Sequence, residues 1–126
     1  MQTSPKSATV VPLQRKISRD VRRQQLIAAT MRVLSRKGYS QTTLSNVAAE
    51  AGVSHGLVNF HFESKEKLLS ETLLFMAEEY RQNWRAALAA AGARAADRLA
   101  AILAADFNDA ICTQERIACW CSYWGE

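Results

Sequence analysis

Residues 43–65 read TLSNVAAEAGVSHGLVNFHFESK, and they hold the side chains whose types and spacing suit a chemical task. Leu44, Val47, Ala48, Val53, Val58 and Phe62 recur at intervals that let two short helices cross steeply, and Ala48 is small where the helices must approach. Gly52, in Gly52-Val53-Ser54, supplies the turn between them. The outer face of the second helix is left with His55, Gly56, Leu57, Asn59, Phe60 and His61. Polar and groove-sized groups on a short helix behind a tight turn suit non-covalent reading of a DNA major groove, the task of a helix-turn-helix. The plainer alternative is an ordinary helical hairpin.

Other chemistry finds little support. The chain has no glycine-rich phosphate loop, no His-x-x-x-His pair and no Ser/His/Asp grouping, so it is not expected to be an enzyme. Asp106 and Asp109 lie one helical turn apart and read as a solvated helix end. Cys119-Trp120-Cys121 lacks the C-x₂₋₄-C spacing of zinc sites, and residues 119 and 121 point roughly opposite ways on a helix. Together with Cys112, these cysteines are expected to be three buried, inert thiols, with no metal and no cofactor.

The elements that would position the 43–65 segment are helical throughout, and the fold class is all-α. Residues 1–17, with Pro5 and Pro12, read as a flexible basic arm. Ser18 is expected to cap a helix over 19–37, with Leu26, Ile27, Thr30, Val33 and Leu34 facing inward and Lys37 and Gly38 ending it. Tyr39 to Thr42 form a loop. Thr43 caps a helix over 44–51, Ser54 one over about 55–61 and Ser64 a long one over about 65–90. The long helix carries Leu68, Leu69, Leu73, Met76, Tyr80 and Trp84, and Gly92 breaks it. Leu99, Ile102, Leu103 and Asp106 suggest a fifth helix, and Thr113 starts a sixth.

Charge divides the chain. Its 126 residues carry a net +4. Residues 1–43 hold nine bases and one acid, and residues 44–126 hold seven bases and eleven acids, so a +8 head stands against a −4 body. A basic head suggests a polyanionic partner. The longest apolar run, Leu99 to Ala105, is far short of the roughly 20 residues of a membrane helix. The first twenty residues lack the apolar core of a signal peptide, and the reading expects a soluble, cytoplasmic protein with no membrane partner.

From Arg22 to Leu69, in RRQQLIAAT and GYSQTTLSNVAAEAGVSHGLVNFHFESKEKLL, the sequence resembles the TetR family of bacterial one-component repressors. Gly38-Tyr39, Thr43, the Ala48–Gly52 turn entry, Val53-Ser54 and His61-Phe62 with Lys65 carry the likeness in combination. The resemblance implies a DNA-binding domain over 18–64 and an α-helical regulatory domain beginning over 65–126. It implies phosphate contacts from Thr43, Ser54, His61 and Lys65, and base-edge contacts from His55, Leu57 and Asn59, with Gly56 allowing close approach of the backbone. Many members have tyrosine where this chain has Asn59 and Phe60, and Phe60 has no hydroxyl for a phosphate. The arm cations Arg15, Lys16 and Arg19 are expected at a neighbouring minor groove.

The last stretch, from Ile117 to Trp124, is strongly apolar and aromatic. A soluble monomer seldom ends by exposing such a patch, so a shortened chain, or one that buries this helix on a partner, is expected. With Phe107 and Cys112 the stretch is similar to the matching helix of the choline-responsive repressors of betaine synthesis. That likeness implies a quaternary ammonium effector such as choline, for which Trp120, Tyr123 and Trp124 offer π-faces. The plainer reading of Trp120 and Trp124 is core packing at i,i+4. The function expected from all this is a ligand-responsive regulator, most simply a repressor, binding palindromic operator DNA as a homodimer. A helical protein-interaction module without specific DNA binding is the alternative.

Overall fold

A computed structural model of the chain describes residues 12–125, with side chains from Ser18 onward. Six helices follow in order: α1 (Pro12–Lys37), α2 (Leu44–Ala51), α3 (His55–Phe62), α4 (Lys65–Ala90), α5 (Ala95–Ala105) and α6 (Gln114–Trp124). Among the described residues no strand occurs, and no helix is long and apolar enough to cross a membrane.

The start of α1 corrects the sequence reading. The helix begins at Pro12, so Ser18 lies inside it and caps nothing, and residues 12–17 are helical rather than part of a flexible arm. A proline costs nothing at a helix start, because its missing N–H is one of the donors left without a partner there. Residues 1–11 of the expected arm lie outside the described residues.

The other boundaries follow local chemistry. Gly38 adopts φ 77° just past α1, and its N–H donates to the Leu34 carbonyl at 2.9 Å. The Thr43 hydroxyl accepts from the Asn46 N–H at 3.1 Å while the Asn46 side chain accepts from the Thr43 N–H at 3.2 Å, a reciprocal capping box. Gly52 closes α2 at φ 67°, and the Ser54 and Ser64 hydroxyls cap α3 and α4.

The core is built around α1. Leu26, Ile27, Thr30, Val33 and Leu34 are all buried, as their spacing requires. Val47 and Ala48 of α2, Val58 and Phe62 of α3, and Leu68, Leu69 and Met76 of α4 close on them. Two arginines of α1 fix α2 in place: Arg32 and Arg36 both reach Glu50, at 2.7 and 2.6 Å. Helix α6 returns from the far end of the chain to pack along α1, bringing Cys119 into the same core.

Candidate nucleic-acid interface and aromatic groove

The two helix starts that frame the turn are in place. Thr43 and Ser54 are exposed, each with its hydroxyl engaged by its own helix. His55, Gly56, Asn59 and Phe60 are exposed on α3, and Leu57 is half-buried. A Cβ built on Gly56 would meet nothing within 4 Å, so that stretch of backbone is open to solvent. Phe60 is 68 % exposed, an unusual position for a large apolar ring.

His61 departs from the expectation of an exposed phosphate contact. It is 8 % exposed, on the buried side of α3 with Val58 and Phe62. The reason is periodicity: residues 58, 61 and 62 are i, i+3 and i+4 on one helical face, and Phe62 and Val58 must go inward. The His61 Nδ1 is buried without a hydrogen-bond partner. Burial, followed by the nearby guanidinium groups of Arg23, Arg19 and Arg22, holds the imidazole below its ordinary pKa.

Lys65 sits at the start of α4, beside the loop that leads into α2. Its Nζ donates to the Ser40 carbonyl at 3.2 Å and lies 5.7 Å from the centre of the Tyr39 ring. Arg19 stands over Phe60 at 5.9 Å, which puts it beside α3 on the first helix rather than on an arm. The side chains of Arg15 and Lys16 lie outside those described. Arg22 and Tyr39 were not singled out from the sequence as parts of this face; the heptad-like position of Arg22 relative to Arg19, i+3 on α1, is the signal that could have placed it there.

The +8 head is less bare than its charge count suggests. Arg23 binds Glu71 and donates to the His61 carbonyl at 2.6 Å, while Arg32 and Arg36 share Glu50. These three guanidiniums staple helices together. Arg19 and Arg22 line the groove beside α3 instead.

On α6, Trp120 is half-buried and Trp124 is 84 % exposed. They wall an open groove of about 510 Å³ with Ile117, Cys121 and Gly125, and a second space of about 320 Å³ with Tyr80. Tyr123 does not line either and leaves the expected aromatic set. Its ring meets Tyr39 edge-on at 5.5 Å, and its hydroxyl donates to the Leu69 carbonyl at 2.7 Å. Burial pushes this phenol above its ordinary pKa. Residues 119 and 123 take one side of α6 and residues 120 and 124 the next, each pair at i,i+4.

The thiols are likewise corrected. Cys119 is buried, with its Sγ donating to the Met31 carbonyl at 3.0 Å, and burial pushes it up to about 11. Cys112 and Cys121 are exposed. Residues two apart on a helix face away from each other, so burying Cys119 turns Cys121 out. Asp106 ends α5 and accepts from the Tyr80 hydroxyl at 2.7 Å.

Two short helices joined at a left-handed glycine, the second displayed and the first locked to a long partner, make a helix-turn-helix unit. Residues 26–72 match the family model of bacterial regulatory proteins, tetR family. That match takes in the second half of α1, both short helices and the start of α4. The chain is similar to the HTH-type transcriptional regulator BetI of Brucella suis biovar 1, 36% identical over 104 residues, which are 82% of this chain and 52% of that protein. The BetI of Burkholderia thailandensis is 38% identical over 112 residues, 86% of this chain and 55% of that one. The chain thus spans about half the length of the curated relatives it matches. Among solved structures, a putative transcriptional regulator from Pseudomonas aeruginosa PAO1 superposes with a TM-score of 0.76 at 32% identity, covering 84% of this chain and 51% of that one.

Proposed function

We propose that the protein is a ligand-responsive transcriptional regulator, acting as a repressor in the bacterial cytoplasm. Residues 18–64 bind palindromic operator DNA, residues 65–126 begin the sensing part, and two copies act together because one short helix reads too few bases. Half-sites then fall in successive major grooves, about 34–36 Å apart or a multiple of that. The observation that carries the reading is the exposed edge of α3, where His55, Gly56, Asn59 and Phe60 face solvent, together with the exposed caps Thr43 and Ser54 at the starts of α2 and α3.

In this reading Asn59 and His55 address base edges, Leu57 and Phe60 make apolar contact in the groove, and Thr43, Ser54 and Lys65 hold phosphates. His61 is buried behind this surface. A gel shift on DNA upstream of the protein's own coding sequence, repeated across a salt series, tests the whole reading. A steep fall of affinity with salt is expected, and no salt-dependent binding would favour a protein-interaction module instead. Lys65→Ala should weaken all sequences alike and lower the salt slope by about 1, whereas Asn59→Ala should relax one operator position.

The effector we propose is a small organic cation of the quaternary ammonium class, such as choline. The groove walled by Trp120 and Trp124 supports it, because indole faces attract such a cation once it is desolvated. Ligand release of DNA follows from linkage: a ligand preferring the shape with splayed recognition helices weakens DNA binding by the same free energy. A thermal-melting series with choline checks this, and no shift at saturation would sink the aromatic site.

A further inference from the structure

Arg19 and Arg22 of α1 line a groove together with residues of α3. It is an open groove of about 430 Å³, lined by Ser18, Arg19, Arg22, Leu57, Phe60 and His61. Arg19 stands over the exposed Phe60 ring, which in turn meets the His61 ring edge-on at 5.3 Å. Behind this rim His61 is nine-tenths buried and its Nδ1 has no partner. A buried polar atom normally has one, and the exceptions call for a reason. Two guanidiniums and the imidazole line the same groove, a set of positive charge and N–H donors that suits an oxyanion.

The charges around the imidazole come from each neighbouring element. From α1 they are Arg19, Arg22 and Arg23. From α4 comes Glu71, which is bound to Arg23, while Lys65 is directed at the Ser40 carbonyl. The one carboxylate of α2, Glu50, is held by Arg32 and Arg36. Burial first, and Arg23, Arg19 and Arg22 after it, hold the imidazole below its ordinary pKa in the free protein.

We propose that this groove seats a DNA backbone phosphate, and that filling it places a solvent proton on the His61 imidazole, so that DNA binding takes up protons. The inference rests on the DNA-binding reading and adds a regulation to it. A phosphate oxyanion among Arg19, Arg22 and His61 offsets the repulsion that otherwise opposes the imidazolium. By linkage, whatever raises proton affinity at His61 on binding also raises DNA affinity as pH falls. The free protein shows the opposite sign for stability. A histidine held below its ordinary value makes the unfolded chain bind more protons, so the fold loses stability as pH falls through about 6.5.

The test is DNA affinity of the whole chain from about pH 8 to about pH 5.5, using a short random-sequence duplex at low salt and the upstream duplex. Affinity is expected to rise on acidification, by up to about tenfold per pH unit within the titrating window. The chain has 2 histidines, which makes the controls complete. His55→Gln should keep the rise and His61→Gln should remove it. A flat profile in the unaltered protein, or a rise that follows His55, overturns the proposal while leaving DNA binding intact. Because His61→Gln touches the core, the ring of the unaltered protein is also titrated by NMR with and without duplex; an upward shift of the His61 midpoint supports the proposal, and an unmoved midpoint overturns it. Should neither duplex bind at any pH, the DNA reading fails, and inorganic phosphate becomes the deciding probe: an upward His61 midpoint with phosphate keeps the groove as an anion seat, and no change removes it.

Discussion

The α1–α3 unit and the α5–α6 end differ sharply in how they dispose of apolar side chains. In the first, Leu26, Val33, Leu34, Val47, Val58 and Phe62 are each at most 1 % exposed. In the second, Leu99 is 60 % exposed, Leu103 56 %, Phe107 77 % and Trp124 84 %. Both regions carry apolar stripes at helical spacing. The difference lies in partners, because α1 is covered by α2, α4 and α6, whereas α5 packs on α4 and leaves Leu99 and Leu103 facing outward. A closed core holds the display helix still, and an open apolar face is a surface available for binding.

That contrast is broken most directly by two phenylalanines. Phe62→Ala is expected to cost about 3–5 kcal/mol, since the ring is fully buried and its cavity has little chance to collapse. Phe107→Ala should stay within about 0.5 kcal/mol of the unaltered chain, as expected for an exposed position. Urea unfolding of both variants measures the gap. Near-equal losses would mean that Phe107 is covered in solution, and the open face would have to be redrawn as an interface.

A smaller pair of effects separates backbone from side chain within the closed unit. Gly52 and Glu63 have nearly the same positive φ, 67° and 66°. A Cβ at residue 52 would meet nothing within 4 Å, so Gly52→Ala isolates the backbone cost, about 1–2 kcal/mol. Glu63 already bears such strain at the end of α3, and Glu63→Gly is expected to stabilise by a fraction of that. Thermal melts of the two variants should therefore move in opposite directions. A loss on Glu63→Gly would show that the Glu63 side chain contributes more than its backbone strain costs.

The same residues show what the sequence made legible. Gly52, Thr43, Ser54 and Ser64 are residues whose side chains, or lack of one, decide backbone geometry within three or four positions, so the helix limits from α2 to α4 could be read directly. Glu63 carries no such mark, because its φ is imposed by the joining of α3 to α4. The start of α1 is hard to read because Ser18 has cap chemistry but lies inside a helix that Pro12 opens. In the candidate interface, the exposed set of His55, Gly56, Asn59 and Phe60 follows from the α3 period. His61 is polar, yet its register with Val58 and Phe62 turns it inward. Tyr123 shares its residue class with the tryptophans, but its i,i+4 relation to Cys119 puts it on the other side of α6. Nothing local could have shown that Arg23, Arg32 and Arg36 meet Glu71 and Glu50, since those contacts join residues 14 to 48 positions apart.

The seam between the two regions supplies the smallest and sharpest prediction. Tyr123 reaches from α6 to both sides: its ring touches Tyr39 beside the helix-turn-helix unit, and its hydroxyl donates to the Leu69 carbonyl in α4. Tyr123→Phe keeps the ring contact and removes only the donor. Leu69 lies within α4, so its carbonyl still serves the helix ladder and is not orphaned. The expected loss is therefore an ordinary net hydrogen bond, about 0.5–1.5 kcal/mol, read from the urea midpoint. A loss in that range, with the transition still single, would mean that α6 unfolds with the closed core and is part of its cooperative unit. An unchanged midpoint would mean that Cys119 and the Tyr123 ring hold the seam by packing alone, and that the boundary between the closed and open regions runs along an apolar contact free to slide.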